Sequence, residues 1–114
     1  MIKRMSLLKR KTDMTSEQFD EHWLKIHGPM AAELPGLLHY VQNKPSERVS
    51  GVAQIPVPDS GDQIDGITEL YFESVEDMET AYRTEQGKKC LADLELFVGS
   101  GTSFTMTERI IKNW

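Results

Sequence analysis

The sequence predicts an α+β domain: a four-stranded antiparallel sheet with two helices on one face. Three observations predict it. Short apolar runs with strand-like character recur four times, two capped amphipathic helices lie between them, and the two halves of the chain echo each other. In each half a strand leads through a short turn into a capped helix start, Thr15-x-x-Gln18-Phe19 in the first and Ser74-x-x-Asp77-Met78 in the second. With 114 residues the chain reads as a single domain spanning 1–114, with room for a core yet small enough to gain from oligomerisation.

The first strand is Ile2 to Arg10, where apolar side chains interleave with long cationic ones and no Gly or Pro intervenes. Lys11-Thr12-Asp13-Met14 turns out of it. Thr15 and Gln18 then form a capping box, and an amphipathic helix follows with Phe19, Trp23, Ile26 and Met30 on one stripe. That helix is expected to stop near Gly28, because the residue before Pro29 is pushed out of the helical region. Met30 to Leu34 has the length for one more turn before Pro35-Gly36, and Leu37 to Lys44 is the second strand.

Between residues 45 and 64 Pro, Gly, Asp and Ser dominate. A loop this long within a small domain is either functional or partly disordered, and both a lid and a disordered insert stay open. The run Val52 to Val57 inside it fits a flap or a short edge strand. Ile67 to Glu73 is the third strand, with Leu70 and Phe72 on one face and Ile67, Glu69 and Tyr71 on the other. Ser74 caps the second helix, whose acidic first turn suits the helix dipole. Gly87 is expected to bend or interrupt it before Cys90, Leu91, Leu94 and Phe97 resume the apolar stripe. Gly99-Ser100-Gly101 reads as a turn into a last strand, Thr102 to Ile111.

The resulting order, βαββαβ, is that of the ferredoxin-like sheet. Its helices cover one face only. The other face carries either Phe104, Met106 and Ile110 or Ile67 and Tyr71, and neither set should stay in water. Two such sheets packed face to face bury it and enclose a cavity, so the sequence predicts a homodimer.

Composition excludes several classes of function. A net charge of −5 argues against nucleic acid, which needs a basic surface. No apolar run is long enough for a membrane span. One cysteine, Cys90, leaves no internal disulfide and suits a reducing compartment. With no signal-like segment after Met1, the expected location is cytoplasmic. No Cys/His spacing fits zinc, and His22 and His27, five apart, diverge by about 140° on a regular helix, so no metal is expected. Gly99-Ser100-Gly101 lacks the context of a phosphate loop, and there is no nucleophile elbow.

The segments Phe19-x-x-x-Trp23-x-x-x-His27-Gly28-Pro29 and Leu34-Pro35-Gly36-Leu37-x-x-Tyr40 resemble the signature of the EthD family. Asp65-Gly66-Ile67-x-Glu69-Leu70-Tyr71-Phe72-x-Ser74 is similar to that family's third-strand segment. The resemblance covers most of the chain outside the 45–64 loop and implies the dimeric α+β barrel. It also implies a position beside the barrel cavity for His27, whose counterpart is implicated in proton transfer in isomerase relatives, and a place in the same pocket for Tyr40. The isomerase pattern uses a cysteine on the third strand. This chain has none there, which sets it apart from that reaction.

The candidate catalytic residues are therefore His27 and Tyr40. An imidazole near a helix end can give and take a proton near neutral pH, and a phenol can hold a carbonyl oxygen. The plainer alternatives are a helix-capping histidine and a core tyrosine. Glu69, Tyr71 and Phe104 are candidate substrate contacts if their sheet face lines the cavity. Glu69 is then a base or a partner for His27; otherwise it pairs with Arg109 or Arg4. His39 is set aside because strand alternation turns it away from Tyr40.

The expected function is a small cofactor-independent enzyme, isomerase or dehydratase in type, acting by acid–base chemistry on a hydrophobic or aromatic, lactone or polyketide-like molecule. The alternatives are a non-catalytic binding or accessory protein of a degradation pathway and a haem-binding or monooxygenase-type barrel. The last needs one axial histidine in an apolar pocket.

Overall fold

The structure, a computed structural model, describes residues 1–46 and 64–114. The Val52–Val57 run and the lid-or-insert question fall on 47–63 and so lie outside the described residues. Strands β1 (Ile2–Arg10), β2 (His39–Asn43), β3 (Gly66–Phe72) and β4 (Val98–Met106) form one antiparallel sheet in the order β2-β3-β1-β4. Helices α1 (Ser16–His22), α2 (Gly28–Ala32), α3 (Val75–Arg83) and α4 (Glu85–Phe97) belong to the two crossovers, and a π-helical turn, Trp23–His27, joins α1 to α2. The ferredoxin-like βαββαβ arrangement is thus present.

Local signals explain most boundaries. Thr15 Oγ1 accepts from the Gln18 amide at 3.1 Å while the Gln18 side chain accepts from the Thr15 amide at 2.9 Å, the reciprocal box that starts α1. Ser74 Oγ accepts from the Asp77 amide at the start of α3. The break between α3 and α4 falls at Thr84, whose hydroxyl accepts from the Gly87 amide and caps α4. Gly87 therefore lies in the first turn of a new helix. Gly36, at φ +80°, takes the left-handed conformation that turns the chain toward β2.

Two boundaries differ from expectation. The first helix does not stop near Gly28, whose φ of −53° and ψ of −55° are helical. Glycine has no Cβ to meet the proline ring, and Pro29 falls in the first turn of α2, where a missing N–H costs nothing. The π turn makes the join: the Gly28 N–H donates to the Trp23 carbonyl, five residues back. The last strand starts directly from α4 and includes Gly99-Ser100-Gly101, with a register shift opposite Lys9 and Arg10. It ends at Met106 rather than Ile111, because Met106 already faces Lys3 near the start of β1 and little partner strand remains.

Register assigns the faces. Leu8, Thr68, Leu70 and Phe72 point to the helices and are buried. Phe19, Trp23, Phe97 and Leu8 form one core cluster; Ala31, Leu34, Leu70, Phe72, Ala81 and Cys90 form a second. Ile26, expected on the buried stripe, is 51% exposed, and His27 takes the inward place instead.

Gly66 packs against the indole of Trp23, and a Cβ there would come within 2.6 Å of the ring. Since Trp23 is buried and cannot withdraw, Gly66→Ala should cost about 1–3 kcal/mol of unfolding free energy. Chemical denaturation with an unchanged m-value would register that loss.

Candidate functional site

The π turn and α4 build the site between them. His22 ends α1 and His27 ends the π turn, five residues on. On a regular helix they would diverge; across the wider π turn both reach the carboxylate of Asp93. His27 Nδ1 lies 2.9 Å from Asp93 Oδ2, and His22 Nε2 lies 2.9 Å from Oδ1 and 3.1 Å from Oδ2. The divergence of about 140° expected of these histidines on a regular helix therefore does not hold here, because the π turn replaces regular helix between them. Phe97, one turn beyond Asp93, lies against both rings, with centroids at 4.6 Å from His22 and 5.2 Å from His27.

The carboxylate accepts, so the imidazole nitrogens facing it are the protonated ones. That assigns the neutral His27 ring as the Nδ1–H tautomer with its lone pair on Nε2. Burial holds the His27 pKa below the usual 6.5; the Asp93 hydrogen bond and charge oppose this shift, and the nearby His22 adds to it. His27 Nε2 takes no hydrogen bond from the described residues. It is not sealed in either: among the described residues the enclosed side-chain polar atom without a partner is Trp23 Nε1. An anchored, neutral imidazole with a free nitrogen is the arrangement of a general base.

Tyr40 and Gln42 lie on the helix-covered face of β2. Gln42 Nε2 donates to the Tyr40 hydroxyl at 2.7 Å and to the Trp23 carbonyl at 2.9 Å, tying the strand to the π turn. Burial raises the Tyr40 pKa, with the Gln42 bond opposing, so the phenol keeps its proton. Because its oxygen accepts from Gln42, its O–H remains a donor.

The other three predicted site residues are on the opposite face of the sheet. Glu69 faces Met5, which faces Phe104 on its other side, and Tyr71 pairs with Lys3 and His39. Glu69 is therefore not a partner for His27, nor does it pair with Arg4, which points to the helix side. It takes an ion pair from Lys3 at 2.9 Å and a hydrogen bond from Asn43 at 2.9 Å, and these, Asn43 first, hold its carboxyl below the usual range. Lys3 also binds Glu108, which accepts from the Tyr71 hydroxyl at 3.0 Å, and the two carboxylates raise the lysine pKa. Phe104 is half exposed. His39, Val41, Glu69 and Tyr71 line an open groove of about 710 Å³ whose other side is formed by residues 108–114. A single subunit thus separates His27 and Tyr40 from Glu69, Tyr71 and Phe104 by the thickness of the sheet.

Asp93 and Gln42 were missed in the sequence. Asp93 did carry a signal: it falls three residues after Cys90 and four before Phe97, on the apolar stripe of α4, and a carboxylate on such a stripe needs a buried partner. Gln42 carried none beyond its parity with Tyr40. Cys90 lies buried on α4, and burial raises its pKa, which keeps it a thiol at neutral pH.

The depressed His27 pKa has a consequence for stability. Just below pH 6.5 the unfolded chain binds more protons at this residue than the folded one. Its contribution is complete above the unfolded value and is lost as pH falls toward the folded value. Stability measured between about pH 5 and pH 7 should rise with pH, and the rise should be smaller in His27→Gln. Equal slopes in the two proteins would contradict the assignment.

The model of the EthD domain matches residues 11–101. Among solved structures, an EthD-family protein from Bacillus halodurans is similar over 96% of this chain and 99% of its own, at 24% identity and a TM-score of 0.72. A dimeric ferredoxin-like protein from Thermobifida fusca is 11% identical, covering 94% of this chain and 90% of that one, with a TM-score of 0.69. SnoaB, a cofactor-independent oxygenase from Streptomyces nogalater, is 7% identical, covering 95% and 92%, with a TM-score of 0.61. No curated protein sequence matches the chain. At these identities the solved structures bear on the fold alone, whereas the domain match spans most of the sequence. The chain belongs to the EthD family.

Proposed function

We propose that the protein is a small enzyme that works by acid–base chemistry without a cofactor, on a hydrophobic or aromatic carbonyl compound of lactone or polyketide type. The observation that carries this reading is the buried Asp93–His27 pair, with His27 Nε2 left without a hydrogen bond from the described residues. In the proposed reaction Nε2 removes a proton next to the carbonyl, and Asp93 stabilises the imidazolium that results. Tyr40 donates its O–H to the carbonyl oxygen as charge gathers there. Returning the proton to another atom gives isomerisation; expelling hydroxide as water gives dehydration.

A non-catalytic binding role is the second reading. Phe97 packs against both histidine rings, which suits a structural pairing of the histidines with Asp93 and leaves any ligand to bind elsewhere on the protein. A haem iron would bind in the plane of the His27 ring at Nε2, so the Phe97 contact on that ring does not bear on it. No step through haem is derived.

The experiment that decides is solvent deuterium exchange into a panel of lactones and aromatic ketones. His27→Gln should slow exchange and turnover by about 10²–10⁴-fold. The wild-type rate should rise with pH through the His27 titration, since the neutral ring is the active form. Wild-type exchange no faster than that of His27→Gln across the panel would leave only the binding role.

We also infer a homodimer formed by the open sheet faces. Phe104 and Met106 are exposed on that face, and Ile110 and Ile111 are exposed beyond β4. The Thermobifida fusca neighbour of the same fold is described as dimeric. Light scattering should give twice the 13.0 kDa chain mass. A monomer at micromolar concentration would overturn the inference.

A further inference from the structure

We propose that His22 is a positioning residue that sets the proton affinity of His27 by sharing its Asp93 carboxylate. The inference deepens the acid–base reading of the site and rests on it for its catalytic meaning. Asp93 is buried and has two oxygens; His27 uses one of them, and His22 lies within hydrogen-bond distance of both. His22 therefore shares the carboxylate with His27. Its own side chain is 18% exposed against 9% for His27, so it senses solvent more directly than the buried base does.

Few other groups bear on the pair. On α4, Asp93 touches both rings, and Cys90, one turn earlier, is a neutral thiol. On α1 and the π turn, Glu21 pairs with Lys25 at 3.3 Å on the exposed side, and Asp20 pairs with Lys44, just beyond β2, at 3.2 Å. The α2 segment carries no titratable side chain, and β2 presents the neutral phenol of Tyr40 and the amide of Gln42. The ionisable groups that bear on His27 are Asp93 and His22. When His22 is protonated, its charge takes up the Asp93 carboxylate and opposes a second positive charge on His27. When His22 is neutral, the full carboxylate charge supports the His27 imidazolium. The base thus becomes stronger as its neighbour loses a proton.

The test is a ring-nitrogen NMR titration of His27 in the wild type and in His22→Gln. The glutamine amide can still donate to Asp93 but never carries charge. His27 in His22→Gln should bind its proton roughly tenfold tighter, with its Nδ1–H still hydrogen-bonded. The acidic limb of any exchange or turnover profile should move up in pH with it. A His27 titration that is unchanged or weakened in His22→Gln would overturn the proposal. Should that variant fail to fold, the wild type decides: the His27 titration must depart from a single-proton curve, and a single uncoupled step would overturn it. Failure of the acid–base reading looks different. Turnover would then survive His27→Gln while the coupling of the two titrations persists.

Discussion

The carboxylate of Asp93 is the group on which the helix layer depends. A buried carboxylate is costly unless its charge and its lone pairs are met. Asp93 is met by two imidazoles, and both come from one helical run because a π turn lies between them. Leaving a buried carboxylate without a hydrogen-bond donor costs about 1–3 kcal/mol or more, so the two histidines and the π turn that presents them stabilise the burial of Asp93. Phe97 completes the arrangement by packing against both rings.

The π turn also decides what faces inward. It places His27 rather than Ile26 against the core, and it presents the Trp23 carbonyl to Gln42. Through Gln42 it is tied to the hydroxyl of Tyr40, so the same local widening that gathers the histidines reaches the strand. A π turn persists only where the surroundings hold it, since its hydrogen bonds are less favourable than those of an α-helix. The cross-links to Asp93 and Gln42 are what hold it.

The sheet divides the polar residues into two groups with different chemistry. On the covered face are a depressed histidine and a protonated phenol, suited to moving protons. On the open face Lys3, Glu69, Glu108 and Tyr71 are locked in mutual ion pairs and hydrogen bonds, and the charged forms of the lysine and carboxylates are favoured. Groups held in their charged forms make poor general acids and bases near neutral pH, which is why the catalytic reading rests on the covered face alone.

The resemblance to the EthD family put His27 and Tyr40 forward, and sequence by itself determined the element order, the faces of β3, both helix caps and the turning of His39 away from Tyr40. These follow from local rules: alternation in strands, hydroxyl caps, and the reach of side chains along one element. What the tertiary structure decided are the features that depend on contacts between distant elements. Asp93 meets His27 across 66 residues, and no periodicity foretells that pairing. Glu69 found Lys3 rather than a histidine because register, not proximity in sequence, chooses a strand's neighbours. The helix ran past Gly28 because glycine relieves the clash before a proline and Gln42 anchors the π turn through the Trp23 carbonyl. Local propensity is worth tenths of a kilocalorie to about one per residue, whereas a buried carboxylate left without its donors costs about 1–3 kcal/mol or more, so the contacts between elements prevailed.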